Sequence, residues 1–130
     1  MATLTRIFSD IDLSFEPHPS TKDLRVKYDD NAIKNAVKNL ILTRHYERPF
    51  HSEIGSNVTN MMFELVTPAT VVLLKQEIAD VIRNFEPRVD LVTVEVGFSP
   101  DQHTLLVSIV FNIKNTTRPI TVQFTLDRTR

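Results

Sequence analysis

Residues 67–98 read T-P-A-T-V-V-L-L-K-Q-E-I-A-D-V-I-R-N-F-E-P-R-V-D-L-V-T-V-E-V-G-F, and the hydrophobic period changes inside them. Val71, Leu74, Ile78, Ile82 and Phe85 recur at helical spacing and form one apolar stripe. Thr67 is placed to cap that helix, and Pro68 fits its first turn, where a missing N–H costs nothing. Lys75, Glu77, Asp80 and Arg83 fall mostly away from the stripe. Pro87 disfavours the α region at Glu86, so the helix is predicted to end near Phe85. Val89 then opens a strand pattern, in which Val92, Val94, Val96 and Phe98 alternate with Thr93, Glu95 and Gly97. Glu86, Pro87 and Arg88 therefore form a rigid corner where a helix hands over to a sheet.

Downstream the period stays at two. Pro100–His103 reads as a turn. Leu105, Val107, Ile109, Phe111 and Ile113 alternate with Ser108, Asn112 and Lys114, and after Pro119 the set Ile120, Val122, Phe124 and Leu126 alternates with Thr121, Gln123 and Thr125. Three alternating runs joined by short polar turns predict an antiparallel meander. Upstream, Ile33, Val37, Leu40 and Ile41 make a buried stripe behind three candidate caps, Asp29, Asp30 and Asn31. Asn57 is a candidate cap for a short helix with Val58, Met61, Met62 and Leu65 inside. Leu24–Tyr28 alternates as a short half-buried strand. Residues 1–23 read as an arm, with apolar anchors Ile7, Phe8, Ile11, Leu13 and Phe15 and a break at Pro17–Ser20. The expected fold is α+β, its helices packed on one face of a C-terminal three-stranded antiparallel meander, with an N-terminal arm (1–23) and one domain (24–130).

The 130 residues are 42% hydrophobic and 24% charged, with a formal net charge of −1, so nothing steers the whole chain to nucleic acid or to an anionic membrane. There is no cysteine, which removes disulfides and thiolate metal sites and suits a reducing cytoplasm. The first residues lack the apolar core of a signal peptide, and no window approaches a membrane span. With only two glycines, Gly55 and Gly97, a glycine-rich phosphate loop is excluded. Histidines at 18, 45, 51 and 103 are scattered without metal-ligand spacing, so no metal or cofactor is expected. Met61 and Met62 read as core filler. The loop Arg44–His51 interleaves Arg44, His45, Arg48 and His51 with Tyr46 and Phe50, a pattern that can suit single-stranded nucleic acid, but Glu47 and Glu53 dilute it. At the corner, Glu86 and Arg88 can form a local ion pair, or they can reach into a partner that an Arg fork grips bidentately.

Three motifs occur in order: I-F-S-D-I-D at 7–12, L-T-R-x-x-E-R-P-F at 42–50, and I-R-N-F-E-P-R-V-D at 82–90. Together they resemble the baseplate wedge subunits of contractile-tailed phages, the sheath-initiator family of T-even phages, with relatives in type VI secretion baseplates. The likeness spans nearly the whole chain except Leu13–Leu24, where nothing carries over. It implies that Glu86, Pro87 and Arg88 dock on a helical core bundle of larger wedge proteins. It also implies that Arg48, Pro49 and Phe50 form an ordered loop packed near the corner, with Phe50 as its anchor, and that Arg48 and Phe50 bind a partner beside the corner. The sheath-initiating role implies that tail sheath subunits are partners, and that an edge strand at Ile120, Thr121, Val122, Gln123 and Phe124 receives a strand from them. The expected location is the virion tail baseplate, assembled in the host cytoplasm, with no nucleic acid, membrane or small-molecule substrate as partner.

Two other classes stand beside this one. Members of the family have been labelled lysozyme-like, yet glycoside hydrolysis needs two carboxyls across a cleft, one of them able to hold a proton. Glu86 is the sole candidate near an apolar cluster, and a neighbouring guanidinium favours the ionised form, the wrong one for an acid donor. No second carboxylate is placed. A regulatory anti-adaptor module of bacterial stress signalling shares the family's fold and is the third reading.

Overall fold

The computed structural model describes residues 7–64, 66–99, 104–114, 116 and 118–127. The chain forms two compact units, residues 1–36 and 37–130. In the first, strands β1 (Ser9–Ile11) and β2 (Val26–Tyr28) pair antiparallel, with Ser9 opposite Tyr28 and Ile11 opposite Val26. Pairing continues irregularly toward the tip: Asp12 N donates to Arg25 O at 2.9 Å, Pro17 bridges Leu24, and His18 N donates to Asp23 O at 2.7 Å. Asp12 accepts from Ser14 N at 3.1 Å and faces Lys27 Nζ at 3.4 Å. The Ser14 N–H, with Lys27 behind it, holds the Asp12 carboxyl below its ordinary range. The half-buried strand expected at Leu24–Tyr28 is shorter, and its Val26 and Tyr28 side chains are exposed, because a two-stranded ribbon has no second layer of its own.

Helix α1 (Asp29–Leu42) runs from the first unit into the second. Its first residue serves the strand as well as the helix: Asp29 Oδ1 accepts from Ile7 N at 3.0 Å and Phe8 N at 3.1 Å. Ile33, Val37 and Ile41 are buried as the stripe predicts, and Ala32 with them, while Leu40 is half-buried.

The second unit continues with α2 (Val58–Met61), α3 (Pro68–Phe85) and a meander of β3 (Val89–Ser99), β4 (Thr104–Ile113) and β5 (Pro119–Asp127), in the order β3-β4-β5, antiparallel throughout. Thr67 caps α3 as expected, accepting from Thr70 N at 3.2 Å, with Pro68 in the first turn. Asn57 does not cap α2. Its Oδ1 accepts instead from Asn60 Nδ2 at 2.7 Å, and its own N–H goes to Glu77 Oε1 on α3 at 2.9 Å. Leu74, Ile78, Val81 and Ile82 are the buried residues of α3, which lies against β3 and against α2. Val71 and Phe85, at the ends of the expected stripe, are half-buried.

The register lines Val94, Ile109 and Val122 across the sheet, and Leu91, Phe111 and Ile120 likewise. Together with Val107, Phe124, Leu105 and Leu126 these make the buried face. One expectation fails here. The alternation places Val92 on the inner face, but a β-bulge between Leu91 and Thr93 shifts the phase by one residue, leaving Val92 58% exposed. Val89 and Leu91 fill the face before the bulge and Val94 and Val96 after it. The turn expected at Pro100–His103, and Leu65 of the α2 stripe, lie outside the described residues.

Candidate functional site

The corner is built by the end of one element and the start of the next. Glu86 leaves the helix at φ −121°, ψ 83°, while its N–H still donates to Ile82 O at 3.0 Å. Two residues on, Arg88 Nε donates to Glu86 Oε1 at 2.6 Å and Nη2 to Oε2 at 3.0 Å, a bidentate fork. Glu86 is buried to 6% exposure, whereas the Arg88 side chain is 29% exposed and Pro87 faces outward. Arg88 O accepts from Lys114 N at 2.9 Å, so the corner is tied to the end of β4. The local ion pair is thus present, and it presents a guanidinium in a fixed orientation. Chemically the site orients charge. Both oxygens of Glu86 are engaged by Arg88, which is no arrangement for a proton donor.

The loop after α1 is ordered but differs from the expectation. Arg44 bridges Ser56, Ser56 N donates to Thr43 O at 2.8 Å, and Ser56 Oγ donates to Ile41 O. Gly55 closes this base at φ 141°, and a Cβ there would sit 2.8 Å from the Arg44 carbonyl carbon and oxygen. Above it, Tyr46 N donates to Ser52 O at 2.9 Å. Phe50, expected as a packed anchor, is 100% exposed instead, and Tyr46 is 85% exposed. Both aromatics adopt left-handed backbone, at φ 69° and 67°, which costs on the order of 1–3 kcal/mol each and turns the side chains away from the domain. Arg48 makes no hydrogen bond or ion pair among the described residues, to the corner or elsewhere. Sequence reasoning treated Tyr46 only as part of a basic loop. Its left-handed backbone has no period to betray it.

The edge strand can be oriented from two bonds. Lys114 N points toward β3, since it donates to Arg88 O. N–H groups alternate sides along a strand, so Asn112 also points toward β3 and Phe111 toward β5. Phe111 stands opposite Ile120 and Asn112 opposite Pro119, which has no N–H to give. Hence Ile120, Val122 and Phe124 turn their N–H groups toward β4, and Thr121, Gln123 and Thr125 turn theirs outward. Among the described residues no strand pairs with that outer edge.

Among the described residues no group of three or more His, Asp or Glu could hold a metal ion, and no helix is long and apolar enough to cross a membrane. Comparison with known proteins gives the corner its context. The profile of the family described as Baseplate wedge protein gp25 matches residues 27–118, a span that includes the loop and the corner. The chain belongs to that family. It is 34% identical over 113 residues, 87% of this chain and 85% of the relative, to the Baseplate wedge protein gp25 of Enterobacteria phage T4. Solved structures share the fold at lower identity. A chain of the anti-feeding prophage baseplate superposes with TM-score 0.66 at 15% identity, covering 95% of this chain and 87% of that one. A chain of the type VI secretion baseplate complex gives 0.59 at 15% identity, covering 75% and 93%. A Geobacter sulfurreducens protein provisionally described as a tail lysozyme gives 0.69 at 19% identity, covering 78% and 92%. At that identity the likeness carries the fold alone. The gp25 family is one of structural baseplate proteins, so this chain is a structural protein and not an enzyme.

Proposed function

We propose that this gp25-family chain, a component of a contractile phage tail baseplate that binds other baseplate proteins, docks on the helical core bundle of the larger wedge proteins through Glu86, Pro87 and Arg88. It then offers the outer edge of β5 to a tail sheath subunit and so templates the first sheath ring. The observation that carries this reading is the asymmetry of the corner. A buried carboxylate holds a partly exposed guanidinium by two bonds, at the junction of the longest helix with the sheet. Such a fork needs little further ordering on contact, so little side-chain entropy is lost when a partner binds.

The experiment separates docking from folding. Glu86→Leu combined with Arg88→Met replaces the ion pair by apolar side chains of similar reach, a change that is often neutral or stabilising. The double variant should fold with wild-type cooperativity and yet be missing from purified tails. A folded double variant that enters baseplates at the wild-type level removes the corner from the docking surface.

A further inference from the structure

The loop between Arg44 and Ser56 presents a second feature that the corner does not account for. Its carboxylates are engaged within the chain. Glu47 Oε2 accepts from Arg44 N at 2.9 Å, and Glu53 Oε1 lies 3.3 Å from His51 Nδ1. A backbone N–H at Glu53 itself, then His51, hold the Glu53 carboxyl below its ordinary range. Glu77, from α3, takes Asn57 N at 2.9 Å and lies 4.0 Å from His45 Nε2. The cations are not matched in the same way: the guanidiniums of Arg44 and Arg48 have no ion-pair partner among the described residues. Between these charges stand two aromatic side chains in strained backbone on a base that Gly55 and Ser56 lock to Thr43 and Arg44. An aromatic and an arginine, exposed and pre-ordered side by side in sequence, are the residue types that dominate protein interfaces.

From this placement we infer that the loop is a docking knob: Phe50 enters an apolar pocket on a neighbouring tail protein, and Arg48 pairs with carboxylates on that pocket's rim. The inference rests on the reading of the chain as a baseplate component. A second copy of this chain is the poorer occupant. The depression of about 490 Å³ beside the knob is lined by Leu42, Arg44, His45, Tyr46 and Glu47; its one carboxylate, Glu47, already accepts from Arg44 N, and Arg44 repeats the sign of Arg48. Nucleic acid is poorer as well, since Glu47 and Glu53 stay on the surface and the net charge of −1 gives no attractive field.

The test places a photoreactive benzoylphenylalanine at the fully exposed position 50 and irradiates assembled, purified tails. The expected product is a cross-link from position 50 to a different tail protein, in a peptide with apolar residues and at least one Asp or Glu beside them. In the same background Arg48→Glu should lower the yield at least about tenfold, equivalent to ~1.4 kcal/mol, while Arg48→Lys keeps most of it. Cross-links to nucleic acid, to a second copy, or at a yield indifferent to Arg48→Glu overturn the inference, as does no cross-link from tails that contain the protein. Tails that lack the protein altogether sink the baseplate reading itself, and this one with it.

Discussion

At Glu86 a carboxylate at 6% exposure depends on one guanidinium for both of its oxygens, so the two residues cannot be judged separately. Arg88→Ala leaves a buried carboxylate without its fork, and urea denaturation should register a loss of roughly 1–3 kcal/mol. That is why the apolar double variant, and not the single truncation, isolates docking. The sequence made both residues visible and the local pair plausible. It did not make the burial asymmetry visible, because nothing in E-P-R says which side chain lies under the helix end. By residue type alone, a partly exposed arginine is worth less than about 1 kcal/mol to folding. Gly55 is the other residue whose role is geometric. At φ 141° with backbone atoms 2.8 Å from any Cβ, Gly55→Ala should destabilise the domain by more than about 1 kcal/mol. The same substitution should raise amide exchange at Ser56, whose N–H closes the loop on Thr43. Unchanged stability and unchanged exchange would remove the strain from the account.

Among the elements, β5 gives the sharpest test, because its N–H groups divide into two sets. Val122 donates toward β4 and Thr121 outward, as the Lys114–Arg88 bond and Pro119 require. Val122→Pro should cost a ladder bond and leave an acceptor unmet, about 1–3 kcal/mol in thermal or urea unfolding. Thr121→Pro should fold close to wild type and still fail to nucleate sheath on complete baseplates. If both variants fold and both support sheath growth, strand addition at this edge is wrong. Element identity was legible because α3 and the three strands keep their periods long enough to be counted. What escaped was local phase. Leu91 and Val92 are adjacent apolar residues in opposite phases, the one trace a bulge leaves in sequence, and the longer run from Val92 to Phe98 masked it. The loop before α2 escaped for the opposite reason: the resemblance makes Phe50 an anchor, and the positive φ at which Tyr46 and Phe50 stand exposed leaves no pattern in sequence.

At the scale of the whole molecule, family membership makes the chain a structural part of a contractile tail baseplate. Purified protein should release no product from peptidoglycan above a buffer blank, and Glu86→Gln should leave that result unchanged, since both carboxylate oxygens of Glu86 are held by Arg88. Reproducible turnover that vanishes in Glu86→Gln would overturn this assignment. The central claim is one of contacts, and a cryo-EM map of the assembled baseplate at side-chain resolution tests it most directly. The expected map shows Pro87 and Arg88 seated on a helical bundle of the larger wedge proteins, with an extended segment of a sheath subunit paired to the Thr121, Gln123 and Thr125 side of β5. A map in which the corner faces solvent while the chain is held elsewhere would contradict it.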